Sequence, residues 1–137
     1  EKRGRKDPEL LSMEESTVAT MVRLWKKRGG YFVTDPHPED FKIVGKRPDG
    51  EGHDIKVLDW ALMEKQDEFT LMKNFFGCME PVGMNEYFSS KPFSRRAIVK
   101  GVFRALGKDG GKEFLQKAAG VDGGLDVEFR NYSQQGR

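Results

Sequence analysis

The sequence predicts an α+β fold in which an antiparallel sheet of about four to five strands packs on helices. Three observations lead there. Short β-branched and aromatic runs, separated by Gly and Pro turn signals, occupy Thr17 to Met63. Apolar residues at helical spacing follow, from Phe69 to Ala118. Strands gathered before helices, rather than alternating with them, favour α+β over a parallel α/β sheet. The 137 residues fit one domain, long enough to bury roughly two thirds of its unfolded surface without staples. The expected division is a charged linker or frayed N-terminus over 1–16, one domain over 17–130 and a C-terminal tail over 131–137.

Element by element, Glu1 to Pro8 reads EKRGRKDP, charged and without apolar periodicity, as solvated tails are. Thr17 to Lys26 is read as a strand with Val18, Thr20, Val22 and Leu24 on one face and Ala19, Met21, Arg23 and Trp25 on the other; helix is the competing reading. Arg28-Gly29-Gly30 supplies a hairpin turn into the extended run Tyr31 to Thr34. Pro36 and Pro38 cannot donate to a ladder, so the strand stops before Phe41 to Val44 begins the next one. Arg47-Pro48-Asp49-Gly50-Glu51-Gly52 is the strongest turn signal, because Pro presets φ and Asp-Gly reverses direction. Ile55 to Met63 is read as a long strand, with helix the rival over 53–65. Asp67 caps the next helix, in which Phe69, Met72 and Phe76 share a face beside Leu71 and Phe75 and which ends at Gly77. Gly83 and Ser89 to Pro92 form a connector. Ser94 then caps a basic amphipathic helix with Ile98, Val102 and Leu106 inside and Arg95, Arg96, Lys100 and Arg104 outside. Gly107 to Gly110 breaks the chain, and a short last helix around Phe114, Leu115 and Ala118 closes at Gly120.

The 24 basic and 22 acidic residues almost cancel, so no overall field draws the chain to nucleic acid or membrane, and any phosphate binding must be local. A single cysteine, Cys78, excludes an internal disulfide and points to a reducing compartment. With only His37 and His53 as further soft ligands, no zinc spacing exists and no metal or cofactor is expected. No apolar stretch approaches the roughly 20 residues needed to span a bilayer. The start at Glu1, without a signal-peptide pattern, suggests a soluble piece of a longer polypeptide.

Two aromatic segments beside carboxylates carry the chemistry: Glu39-Asp40-Phe41 and Phe75-Phe76 followed by Glu80. An aromatic face binds a flat cationic ring, and a carboxylate accepts two parallel N–H donors from a guanine edge. The order Gly30-Tyr31-Phe32, Glu39 to Arg47, Asn74-Phe75-Phe76-Gly77-Cys78-Met79-Glu80-Pro81 and Phe114 to Asp122 resembles the cap-binding-type middle domain of the second basic polymerase subunit of orthomyxoviruses. The likeness is to the thogotovirus branch, more distantly to influenza, and covers roughly Thr17 to Val127. It implies a sheet packed on helices and a role in viral transcription by cap snatching. It also implies a place in a heterotrimeric RNA-dependent RNA polymerase in the host nucleus. The partners implied are the other polymerase subunits, viral RNA, and capped RNA or 7-methyl-GTP.

By that resemblance Glu39 reads the guanine, Phe76 supplies one stacking face, Lys56 assists at the guanine or the phosphates, and His37 stands near the second face. The second face itself aligns to Asp35, which cannot stack, and Pro92-Phe93-Ser94 stands where the family has a histidine and an asparagine. Loss of one stacking contact costs roughly 1–3 kcal/mol, so weak cap binding or none is expected. Each residue also has a plain structural reading. Phe75 packs in the core, Trp25 and Trp60 anchor, His37 and His53 are loop histidines, and Cys78 is a partly buried thiol. The basic residues Arg95, Arg96, Lys100 and Arg104 form either a solvated helix side or a contact for RNA or another subunit. No paired catalytic carboxylates, Ser/His/Asp set or P-loop is present, so the chain is expected not to be an enzyme. Two functions are therefore expected in competition: a degenerate cap-binding module, and a structural or interaction module of the polymerase without a nucleotide pocket.

Overall fold

The computed structural model describes residues 8–33, 41–48, 52–57, 63–77 and 93–134. The first element is a helix, α1 (Pro8–Lys27), where the sequence reading expected linker to residue 16 and a strand over Thr17 to Lys26. Pro8 suits a first turn, whose N–H has no helical acceptor. Glu14, Thr17, Val18, Met21, Val22 and Trp25 are all buried, at i, i+3, i+4, i+7, i+8 and i+11, a complete helical stripe. The stripe was hidden because two of its members are polar. Thr17 satisfies its hydroxyl locally by donating to the Met13 carbonyl at 2.8 Å.

Arg28-Gly29-Gly30 closes this helix instead of turning a hairpin. The Gly30 N–H donates to the Trp25 carbonyl at 2.9 Å and the Gly29 N–H to the Lys26 carbonyl at 3.1 Å. Those paired bonds need left-handed residues after the helix, and Gly29 and Gly30 take φ of 70° and 97°.

Among the described residues four strands follow: β1 (Tyr31–Val33), β2 (Phe41–Lys46), β3 (His53–Val57) and β4 (Met63–Lys65). Among the described residues they form two antiparallel pairs, β1 with β4 and β2 with β3, rather than one sheet of four to five strands. Of the long strand expected over Ile55 to Met63, Ile55 to Val57 belongs to β3, paired with β2, and Met63 to β4, paired with β1, while 58–62 lie outside the described residues. Gln66, just beyond β4, fastens the β1–β4 pair to α1. Its side-chain amide donates to the Phe32 and Val33 carbonyls at 2.9 and 3.2 Å. Its backbone carbonyl accepts the Trp25 indole N–H at 2.8 Å.

α2 (Glu68–Gly77) starts and stops where expected, with the Asp67 carboxylate accepting the Thr70 N–H at 2.8 Å. Leu71 and Met72 are fully buried whereas Phe69 is exposed, so its inward face is turned away from Phe69. α3 (Arg95–Lys117) begins after Ser94 and buries Ile98 and Val102. The break expected over Gly107 to Gly110 is a single kink at Gly107, whose φ of 81° and ψ of −179° suit glycine alone. Helix resumes at once, so Phe114 and Leu115 lie on the second arm of α3. A further helix, α4 (Gly123–Gln134), was not foreseen, and the expected tail over 131–137 starts inside it.

The described order is helix, strands, helices, still a mixed α+β chain. The core lies mainly between α1 and α3, where Gly101 lets the two helices approach: a Cβ there would sit 2.7 Å from the Val18 Cβ. Trp25 meets Phe114 edge to face at 5.4 Å, and Phe103 stacks on Tyr132 of α4 at 4.6 Å. No helix among the described residues is long and apolar enough to cross a membrane.

Candidate nucleic-acid interface

Lys56 is the cap-site candidate whose side chain the structure places most fully. In β3 the residues His53 and Val57 are buried, Ile55 is half-buried, and Asp54 and Lys56 point outward, as the two-residue period of a strand requires. The register pairs Lys56 with Lys42 of β2, and both are exposed. Directly opposed side chains of an antiparallel pair stand about 5 Å apart at Cβ, and like charges there repel. A phosphate between two such ammonium groups removes that repulsion and gains two charge-assisted hydrogen bonds. Farther along the hairpin, Arg47 pairs with Asp54 at 3.8 Å, a distance that makes it a loose ion pair.

The four cations expected on α3 divide into two kinds. Arg95 donates to both oxygens of Asp122 at 2.6 and 3.1 Å, tying the start of α3 to the start of α4. The same bonds hold the Asp122 carboxyl down at about 2, aided by the Leu125 N–H and opposed by its partial desolvation. They raise the Arg95 guanidinium above its ordinary value. Arg104 donates to Glu15 of α1 at 3.0 Å. These two arginines are structural ties between helices. Arg96 and Lys100 instead line a cleft of about 280 Å³ along α1, with Leu11, Ser12 and Glu15 opposite.

Glu39, His37 and Asp35 lie outside the described residues, as do Trp60, Cys78 and Pro92. Phe76 is placed by its backbone in the last turn of α2. The described residues therefore bring Lys56 together with Lys42, and Arg96 with Lys100, but do not assemble the cap-reading set. Among them no group of three or more His, Cys, Asp or Glu side chains could hold a metal ion.

Two residues escaped the sequence reading. Lys42 could have been found by counting outward from the Pro48-Asp49-Gly50 turn, which sets Lys42 and Lys56 at equal distances from it. His53, read as a loop histidine, is a buried strand residue whose backbone N–H donates to Ser16 Oγ at 2.9 Å. Its inward position follows from Val57 at i+4 on the same strand face.

No protein-family model, curated protein or solved structure matches this chain.

Proposed function

We propose that this chain is a non-catalytic, RNA-contacting module of a viral RNA-dependent RNA polymerase subunit. In this reading it is of cap-binding type, works in cap-dependent priming in the host nucleus, and holds a 7-methylguanosine cap weakly or not at all. The observation that carries it is the exposed Lys42–Lys56 rung, which places a second cation opposite the residue that the family resemblance assigns to guanine or phosphate. A like-charge pair on a solvent face supports a polyanionic ligand, which would relieve its repulsion. Arg96 and Lys100 add a second basic point on α3. The absence of an aromatic at Asp35 argues for backbone rather than base recognition.

The test is titration of the chain with a short single-stranded RNA at several salt concentrations, alongside 7-methyl-GTP and GTP. Salt-sensitive RNA binding is expected, with the two nucleotides bound equally weakly. Replacing Lys42 and Lys56 together by Ala should weaken RNA binding and flatten the salt dependence by about 1.4 in the log–log slope. RNA binding that this double replacement leaves unchanged, or its absence at low salt, overturns the proposal in favour of a purely structural module. Micromolar, methyl-dependent binding lost in Phe76→Ala and Glu39→Ala would establish a working cap pocket instead.

A further inference from the structure

His53 is 6% exposed, and among the described residues neither of its ring nitrogens has a hydrogen-bond partner. A neutral imidazole carries one donor and one acceptor, and burying both unmet costs free energy that folding must recover elsewhere. His53 is one wall of a cavity of about 270 Å³ whose other walls are Pro8, Glu9, Ser12, Lys46 and Gly52. Pro8, Glu9 and Ser12 belong to the first turns of α1. A helix start leaves backbone N–H groups without intrahelical acceptors and carries the positive end of the helix dipole. A buried imidazole, a lysine, a serine hydroxyl and a helix N-terminus thus converge on one space.

The single acidic wall is informative. Glu9 Oε2 stands 3.8 Å from His53 Nε2, too far for a hydrogen bond, and the Glu9 side chain is 60% exposed. The tethered carboxylate holds the place of an anion without making an anion's contacts. With Glu9 swung into solvent, the face of His53 Nε2 that it covers opens towards the space lined by Lys46 and Ser12, where a free tetrahedral oxyanion can take its place.

We infer that the cavity where α1 begins, walled by His53, Lys46 and Ser12, is a binding site for a phosphate group, with Glu9 as its internal competitor. The site is separate from the Lys42–Lys56 rung, since Lys42 and Lys56 do not line it. It stands whether or not the chain contacts RNA. Its ligand is a terminal phosphate group, either free inorganic phosphate or the 5′-monophosphate of an RNA.

The experiment follows the His53 ring resonances by NMR at fixed pH and chloride. Inorganic phosphate is added first, then a 5′-phosphorylated trinucleotide and its 5′-hydroxyl counterpart in separate samples. A saturable His53 shift is expected with inorganic phosphate. Glu9→Gln should tighten that binding and Lys46→Ala weaken it, each by about tenfold. Lys42→Ala with Lys56→Ala should leave it unchanged, which separates failure here from failure of the RNA reading. Tighter binding of the 5′-phosphorylated trinucleotide than of inorganic phosphate would identify the RNA end as the source; inorganic phosphate alone would identify the free ion. No saturable shift, or a shift indifferent to both Glu9→Gln and Lys46→Ala, overturns the proposal. Both substitutions are at solvent-accessible side chains, and thermal melting of each variant verifies that it is folded.

Discussion

The carboxylate of Glu14, fully buried on α1, accepts the backbone N–H of Ser94 at 2.9 Å, so one helix caps the start of another. Ser94 occupies the capping position of α3, yet its own hydroxyl makes no capping bond. The usual cost of losing a capping serine therefore should not apply. Ser94→Ala is expected to change stability by less than about 0.5 kcal/mol. Glu14→Ala should cost about 1–3 kcal/mol, because it leaves a donor unmet at a buried interface. Urea denaturation of the two variants checks the contrast, and equal losses would refute it.

Asp122 links acid stability to the α3–α4 junction. Its folded carboxyl titrates at about 2, held there first by the Arg95 bonds, against about 3.9 in an unfolded chain. Between those values the unfolded state binds more protons, so the group's contribution is present in full above about pH 4 and fades as pH falls to about 2. Asp122→Asn should flatten this part of the stability curve while keeping an acceptor for the Leu125 N–H, which Asp122 now accepts at 3.1 Å. Asp122→Ala should lose a further ~1 kcal/mol as the cap disappears. Denaturation free energies measured from about pH 5 downwards decide it.

Gly101 sets the spacing of α1 and α3. In an open helix Ala is better than Gly by roughly 0.5–1 kcal/mol. Here a Cβ would lie 2.7 Å from the Val18 Cβ and 2.8 Å from the Glu15 carbonyl oxygen. Neither neighbour is a flexible tip, so Gly101→Ala should destabilise by about 1–3 kcal/mol. Gly123→Ala, where a Cβ meets nothing within 4 Å, is the control and should be neutral or mildly stabilising. Thermal melting of both gives the sign.

Gln66 offers a dissociation of stability from environment. Gln66→Ala removes the donor to two strand carbonyls and should cost about 2 kcal/mol. The Trp25 indole bonds the backbone carbonyl of residue 66, which the substitution keeps. Trp25 fluorescence in the folded variant should then stay close to wild type while the denaturation midpoint falls. A large spectral change would show that the amide also positions α1.

What the residues disclosed and what they hid follow from how each element meets its neighbours. α2 was legible because Asp67 announces its start and Gly77 its end. α1 was misread because Glu14 and Thr17 belong to its inward stripe, and their partners, Ser94 and Met13, are invisible to a hydropathy pattern. α4 was missed behind Gly123-Gly124, although Asp122 as its cap and Leu125, Phe129 and Tyr132 at i, i+4 and i+7 were there to find. The sheet was over-counted because strand propensity says nothing about which strand a strand pairs with. At the site, Lys56 was singled out but not its partner, since a charge becomes chemistry only once the register is known. His53 required tertiary placement altogether, because its burial depends on α1 lying across the hairpin.

The nested pairing of the strands has a consequence for how such a chain can change. β1 and β4 form a stem, and the β2–β3 hairpin falls between them in sequence and rests on α1 through β3. Closing a loop depends on its length only logarithmically, about 0.6 kcal/mol per doubling. Added chain length between the strands would thus cost the stem little, whereas His53 and Val57, buried on the inward side of β3, and the His53 N–H bond to Ser16 fix where the hairpin rests on α1. The Lys42–Lys56 rung lies on the outward side of that hairpin, where its residues can change without touching the side that α1 covers.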